Sequence, residues 1–409
     1  DRSVSRGLGD VYKRQLQGRV PGLNITTSSG VPGNTASFNI RGTNSINGGS
    51  PLVLVDGVEG DLDRVNPNDI ESISVLSGSA AAALYGSAAA NGVVLITTKK
   101  GAVDKTRLTY SNNSTFYSPF RLPEFQNTYG SETGEWYSWA SKLSSPTDYE
   151  VKDFFQTGYN VANTVSLTTG TQKNQTYVSV GAVNARGIIQ NNDLYRYKLS
   201  VRNTTSMLND KLTMDLSFMY SNVKEQNMLS QGEYANPLVP VYLFPRGDDF
   251  SKYQYYERYD VDRNIKTQFW PLKENGLSMQ NPYWITNRNM YTNKKDRFLA
   301  SGSLKYTITD WLNVSGRVKL DKETINSEKK MYASTLNVIA ENSDKGAYVQ
   351  SNKNTSQIYA DAMLNINKYF YHDTWNLTAS LGASLLDLDY KAVSYTHLRA
   401  HETLSDLVC

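Results

Sequence analysis

Residues 297–320 read Arg297-Phe-Leu-Ala-Ser-Gly-Ser-Leu-Lys-Tyr-Thr-Ile-Thr-Asp-Trp-Leu-Asn-Val-Ser-Gly-Arg-Val-Lys-Leu320. Phe298, Ala300, Gly302, Leu304, Tyr306 and Ile308 alternate with Arg297, Ser301, Ser303, Lys305 and Thr307. After Thr309-Asp-Trp311 the alternation resumes as far as Leu320, with Asn313, Ser315, Arg317 and Lys319 on the opposite face. Successive side chains of a strand point to opposite faces, so a period of two builds one apolar stripe and one polar stripe. Two such runs across so short a link predict an antiparallel hairpin.

The pattern repeats in both directions. Tyr195, Tyr197, Leu199 and Val201 interleave with Arg196, Lys198, Ser200 and Arg202, and Leu212, Met214, Leu216, Phe218 and Tyr220 with Thr213, Asp215 and Ser217. Residues 358–366 and 375–385 follow it, and residues 107–117, 161–169 and 176–184 carry weaker versions. About nine strands are expected. The links between them alternate strictly. Those at 170–174, 208–211, 309–311 and 371–373 are tight; those at 118–159, 187–193, 222–295 and 323–354 are longer. Short turns at one end and long loops at the other are a property of outer-membrane barrels, and a soluble sandwich has no reason to keep that parity. Nine is odd, and bacterial single-chain barrels close with even numbers. Large plugged barrels have about 22 strands, so residues 106–392 are expected to be the first part of a transmembrane β-barrel with long extracellular loops. Its two open edges are an expected aggregation hazard.

The 409 residues carry 42 Lys+Arg against 39 Asp+Glu, which gives no case for nucleic-acid binding. One cysteine excludes a disulfide framework and any Cys-rich metal site. Tyrosine is frequent, with 28 residues, and suits surfaces that are half apolar and half wet.

Residues 16–105 have a different texture. Gln17-Gly-Arg-Val-Pro-Gly-Leu-Asn-Ile-Thr26 reads as the entry into a short strand, and further strands are expected at Ala36-Ser-Phe-Asn-Ile-Arg-Gly42, at Pro51-Leu-Val-Leu-Val-Asp-Gly-Val58, at Ile70-Glu-Ser-Ile-Ser-Val-Leu76 and at Val93-Val-Leu-Ile-Thr-Thr98. Asp56-Gly57 is a turn signal. The Ala-rich run from Ser79 to Tyr85 predicts a short helix closed by Gly86. It lacks the lysine of a phosphate-binding loop, so tight packing of small residues is the better account. A small α+β module therefore precedes the strands.

Leu16-Gln-Gly-Arg-Val-Pro-Gly-Leu23, Asn39-Ile-Arg-Gly-Thr-Asn-Ser-Ile-Asn47, Pro51-Leu-Val-Leu-Val-Asp-Gly-Val58, Asn66-Pro-Asn-Asp-Ile-Glu-Ser-Ile-Ser-Val-Leu76 and Leu84-Tyr-Gly-Ser-Ala-Ala-Ala-Asn-Gly-Val-Val-Leu-Ile-Thr-Thr-Lys-Lys-Gly101 resemble the plug domain of SusC/RagA-type TonB-dependent outer-membrane transporters. Leu243-Phe-Pro-Arg-Gly-Asp-Asp-Phe250, Tyr256-Glu-Arg-Tyr259, Gln280-Asn-Pro-Tyr-Trp284 and Asn293-Lys-Lys-Asp-Arg297 resemble loop segments of the same family. The resemblance implies a plug (residues 16–105, incomplete at its start) inside a barrel in the Gram-negative outer membrane. It implies import of a glycan, or of a peptide as in RagA, driven by TonB–ExbB–ExbD, with a SusD-like lipoprotein outside and outer-membrane lipid around the wall. The TonB box is not among these residues. A siderophore or cofactor receptor is the alternative within the class. A secreted all-β carbohydrate-binding or hydrolytic protein, or an adhesin, is the alternative outside it.

Residues 1–15 and 393–409 abandon the pattern and resemble translated adapter reads, so both ends are expected to be non-native. The other account of the tail is a metal-binding His397-x-x-x-His401, short of a third ligand but for Cys409. No catalytic residue, metal or cofactor is expected: His372 sits in a predicted turn, and Asp248-Asp249 and Asp61/Asp63 read as solvated loop charges. Ligand contacts are expected from Asn44 and Asn47 in the plug and from Trp136, Trp139, Tyr242, Phe244, Trp270, Tyr283 and Trp284 in the loops, because aromatic faces stack on sugar rings and amides bond hydroxyls. Packing within the loops is the competing role for each aromatic. Arg41 and Glu71 are candidates for ion pairs holding plug to wall.

Overall fold

The computed structural model describes residues 23–26, 37–40, 50–60, 65, 67–76, 81, 85–103, 106–132, 134–135, 137–146, 150–227, 234–272, 280–370 and 375–397. The first module holds β1 (Leu23–Thr26) and β2 (Ser37–Ile40), paired antiparallel. It also holds β3 (Leu52–Val55), β4 (Val58–Glu59), β5 (Ile70–Leu76) and β6 (Val93–Thr98). The last four form one sheet in the order β4-β3-β6-β5, with β3 parallel to β6 and the other pairs antiparallel. Leu54, Ala81, Ala89 and Val93 are its buried core. Ala81 and Tyr85 are helical, and Gly86 takes a φ of 71° that closes the run as expected. The two alanines have no exposed surface, which is the packing role expected of small residues there.

The wall follows. It comprises β7 (Arg107–Tyr117), β8 (Gly158–Gly170), β9 (Asn174–Arg186), β10 (Asp193–Met207) and β11 (Leu212–Gln226). A loop hairpin, β12 (Glu257–Asp260) and β13 (Ile265–Gln268), interrupts it. The wall resumes with β14 (Asn289–Thr309), β15 (Leu312–Met331), β16 (Ala347–Phe370) and β17 (Trp375–His397). Nine strands make one antiparallel sheet in chain order from β7 to β17, and the two end strands do not pair with each other. The expected count and the parity of short and long links both hold. The strands of the second half are about twice the expected length. Beyond the membrane band both faces are wet, so the apolar alternation ends while backbone pairing continues. Residues 393–397 also continue β17, paired opposite Tyr348–Asn352, past the boundary expected at 392; residues 1–15 and 398–409 lie outside the described residues.

Register sorts the two faces. Thr164, Tyr177, Arg202, Ser217, Ser301, Lys319 and Arg317 fall on one face, linked row by row across the strands. Val201, Phe218 and Ala300 share a row on the other, as do Leu216, Gly302 and Val318. There Leu216, Leu304, Val318 and Ile358 are exposed. An apolar face of that extent has no reason to meet water and every reason to meet lipid. Val318→Arg is expected to destabilise the protein in lipid vesicles by about 2–4 kcal/mol, with Val318→Leu nearly neutral. Urea unfolding followed by tryptophan fluorescence measures the difference.

Candidate functional site

The first module meets the polar face of the wall through the turn between β3 and β4. Val55 pairs with Val58 across Asp56-Gly57, and both turn residues have positive φ, 51° and 81°. That is the two-residue hairpin geometry favoured by Asp-Gly. Glycine is required at the second position for a further reason: a Cβ on Gly57 would stand 2.8 Å from Arg317 Nη1.

Arg202 on β10 is the centre of the seam. Its Nε and Nη2 donate to the two oxygens of Asp215 on β11 at 2.9 and 2.8 Å, a bidentate pair within the wall. Its Nη1 reaches into the first module, to Asp56 Oδ1 at 3.2 Å, Thr98 Oγ1 at 2.6 Å and Thr98 O at 3.0 Å. Asp56 is held in turn by the backbone N–H and hydroxyl of Thr98, at 3.0 and 2.7 Å. Arg317 on β15 forms an ion pair with Asp361 at 2.7 Å and donates to Asp56 O at 3.4 Å. Lys319 donates to Glu59 O at 2.6 Å. One hairpin tip is thus gripped from wall strands far apart in sequence.

A second contact lies under β5. Tyr177 on β9 donates its hydroxyl to buried Asp69 at 2.9 Å, and Asn68 donates to Thr164 on β8 at 2.9 Å. Burial raises the pKa of Asp69 against the hydrogen bonds of Ser179 and Tyr177 and the charges of Lys198 and Lys99. Neither contact involves Glu71, which is exposed on β5 and forms no ion pair among the described residues. Arg41, Asn44, Asn47 and Trp136 lie outside the described residues. The closest ion pair between module and wall among the described residues is Arg202–Asp56 at 3.2 Å, with Lys100 standing 3.9 Å from Asp215 beside it. Its signal was present in the sequence as a charged residue on the polar stripe and an Asp-Gly turn, but pairing them needed the fold.

The long loops form the opposite end. Val151, Phe154, Ile189, Val241, Phe244, Phe250, Tyr253 and Tyr283 make one buried cluster drawn from three connections, with Tyr242 and Trp270 packed against it. Phe244 sits 4.8 Å from Phe250 and 5.7 Å from Trp270, centroid to centroid. Asn281 ties the assembly together. Its side-chain oxygen accepts from the N–H groups of Tyr283 and Trp284, capping the helix Pro282–Arg288 with Pro282 at the first turn. Its side-chain nitrogen donates to Tyr253 O at 2.7 Å and Phe269 O at 2.8 Å. Neighbouring Gln280 accepts from Leu336 N in the fourth connection, and Trp284 Nε1 donates to Thr335 Oγ1 at 2.9 Å. Burial raises Tyr283 to about 12.

Phe244 and Trp284 are each 1% exposed and Tyr283 4%, so these three candidates spend their faces on the loop core. Physically, large rings concentrated in a loop of this length gain more from excluding water together than from waiting singly. Trp139 stands apart, 74% exposed. Trp270 is half-buried, and its indole N–H has no acceptor among the described residues.

Residues 11–93 match the TonB-dependent Receptor Plug Domain family. The chain is 29% identical over 305 residues to the TonB-dependent receptor SusC of Bacteroides thetaiotaomicron, which covers 68% of this chain and 30% of that protein. The chain carries a TonB-dependent receptor plug domain and is SusC/RagA-like in sequence and fold. Its fold matches the RagAB peptide importer in the 'closed-closed' state with a TM-score of 0.72 at 20% identity, over all of this chain and 48% of that one. The ferrienterobactin receptor of Escherichia coli is 40% identical over 103 residues, but only 20% of this chain takes part. The chain spans less than a third of the SusC relative and about half of the RagAB chain. The first module is therefore the plug, and the apolar face is the outer-membrane face.

Arg202→Met is expected to loosen the plug by about 2–3 kcal/mol, less than the full cost of breaking a buried pair because Asp56 keeps some solvent contact. A cycle with Asp56→Asn, read by urea-induced plug release, should show coupling above about 1 kcal/mol; additive effects would remove the latch. The raised carboxyl makes a separate statement. The contribution of protonated Asp69 to docking is fully present below its ordinary value of 3.8 and is lost as pH rises through the raised, docked value. Asp69→Asn, which keeps an acceptor for Tyr177, should flatten that pH dependence of release.

Proposed function

We propose that this chain supplies the plug and part of the wall of an importer energised through TonB–ExbB–ExbD, carrying a glycan, with a SusD-like lipoprotein as its outer lid. The observation that carries the reading is the plug held by Arg202, Arg317 and Lys319 against the polar face of a lipid-facing wall. Such a contact set has one use: to block a polar channel until the grip is loosened. The glycan assignment rests on the SusC-like loop segments and on Trp139 and Trp270, the loop tryptophans among the described residues whose faces or donors are not fully spent on packing. A peptide cargo is the second reading, favoured by the match over the whole chain to the RagAB peptide importer. The siderophore reading has support only from a relative aligned over 20% of the chain.

Uptake of labelled oligosaccharides and oligopeptides should be compared in cells with and without this gene and with and without TonB. Oligosaccharide uptake that needs both supports the proposal, and Trp139→Ala should raise its half-saturating concentration about threefold to tenfold. Uptake of peptides alone moves the cargo to the second reading. Uptake that persists without TonB sinks the importer reading itself.

A further inference from the structure

The lipid-facing side of the wall ends, toward the long loops, in a row of rings. Tyr220 on β11 lies directly opposite Phe298 on β14, and Tyr197 on β10 lies opposite Asn222, two residues further out. One step further out, Tyr220 and Asn222 both donate to Asp296, at 2.8 and 2.7 Å. Amphipathic rings of this kind mark the boundary between hydrocarbon and headgroups.

Beyond that boundary the register does something unfavourable. Lys224 on β11 is directly opposite Lys294 on β14, and both are exposed on the lipid-facing side. Lys322 on β15, also exposed there, is directly opposite Phe298. None of the three forms an ion pair with any described residue. Elsewhere the wall pairs several of its cations: Arg202 with Asp215, Arg297 with Asp321, Arg317 with Asp361, and Lys295 with Glu225, all on the polar face. Like charges directly across two strands repel. Water screens such a pair, but a headgroup layer supplies little free water and much fixed charge.

We propose that Lys224 and Lys294, with Lys322 reaching up from the ring belt, form a binding site for the phosphate of an outer-leaflet lipid. An anion between the two facing ammonium groups turns their repulsion into two charge-assisted hydrogen bonds. The long aliphatic stem of Lys322 lies along apolar surface while its charge rises to the headgroup level. Asp296 does not fill this role, because its Oδ1 already accepts from Tyr220 and Asn222 one row below.

The test uses the receptor purified in mild detergent and native mass spectrometry. The probe is lipopolysaccharide with its lipid phosphates intact, against the same lipid after enzymatic dephosphorylation, with inorganic phosphate as competitor. K224Q/K294Q should weaken retention of the phosphorylated lipid roughly 25-fold, about fivefold per lysine, and K322Q about fivefold, with heat-modifiable electrophoretic mobility confirming that each variant is folded. Lys353→Gln, an exposed change off the lipid-facing row, should leave retention unchanged. Equal retention by the double variant, or equal binding of the dephosphorylated lipid, overturns the proposal. Displacement of the lipid by millimolar inorganic phosphate overturns the lipid assignment in favour of a free anion.

Discussion

One guanidinium stands at the centre of the contacts that hold two parts of this protein together. Arg202 is charged, almost wholly removed from water, and divided between a carboxylate of its own sheet and a carboxylate of the plug. An isolated ion in such a place is costly, and its attraction to a partner offsets that cost only when the remaining donors are also used. Here Asp215, Asp56 and Thr98 use them. The arrangement is conditional by construction: the wall half is complete in itself, and the plug half is what is given up when the plug moves. The difference between a welded joint and a releasable one lies in that asymmetry.

The polar face generalises the point. Its charges are arranged as pairs between neighbouring strands, Arg297 with Asp321 and Arg317 with Asp361, and serines bridge the rows between them, as Ser217 and Ser301 do at 2.7 Å. Lys305 and Lys353 share that face without an ion pair among the described residues, so it carries positive charge beside its pairs.

Much of this was legible in the residues. Period-two alternation located all nine wall strands because lipid on one side and a polar lumen on the other impose opposite demands on successive side chains. The Asp56-Gly57 turn and the strands around it were equally plain. Two things were hidden. The strands of the second half outrun the membrane, where nothing in the side-chain pattern records continued pairing. The loop aromatics could be assigned to a ligand or to a core with equal chemistry, and only the three-dimensional arrangement shows Phe244, Tyr283 and Trp284 turned inward. Glu71 is exposed on β5 and forms no ion pair among the described residues.

Asn281 joins its own helix cap to the backbone at Tyr253 and Phe269, while Gln280 beside it reaches the connection before β16. With that amide in place, the outer connections cannot be displaced independently: a push on one is transmitted as a rotation of a shared solid rather than as the bending of a single loop. Evolution can therefore vary the exposed tips of this end freely, as one changes the teeth of a key, while the two amides at its centre fix where every tip stands.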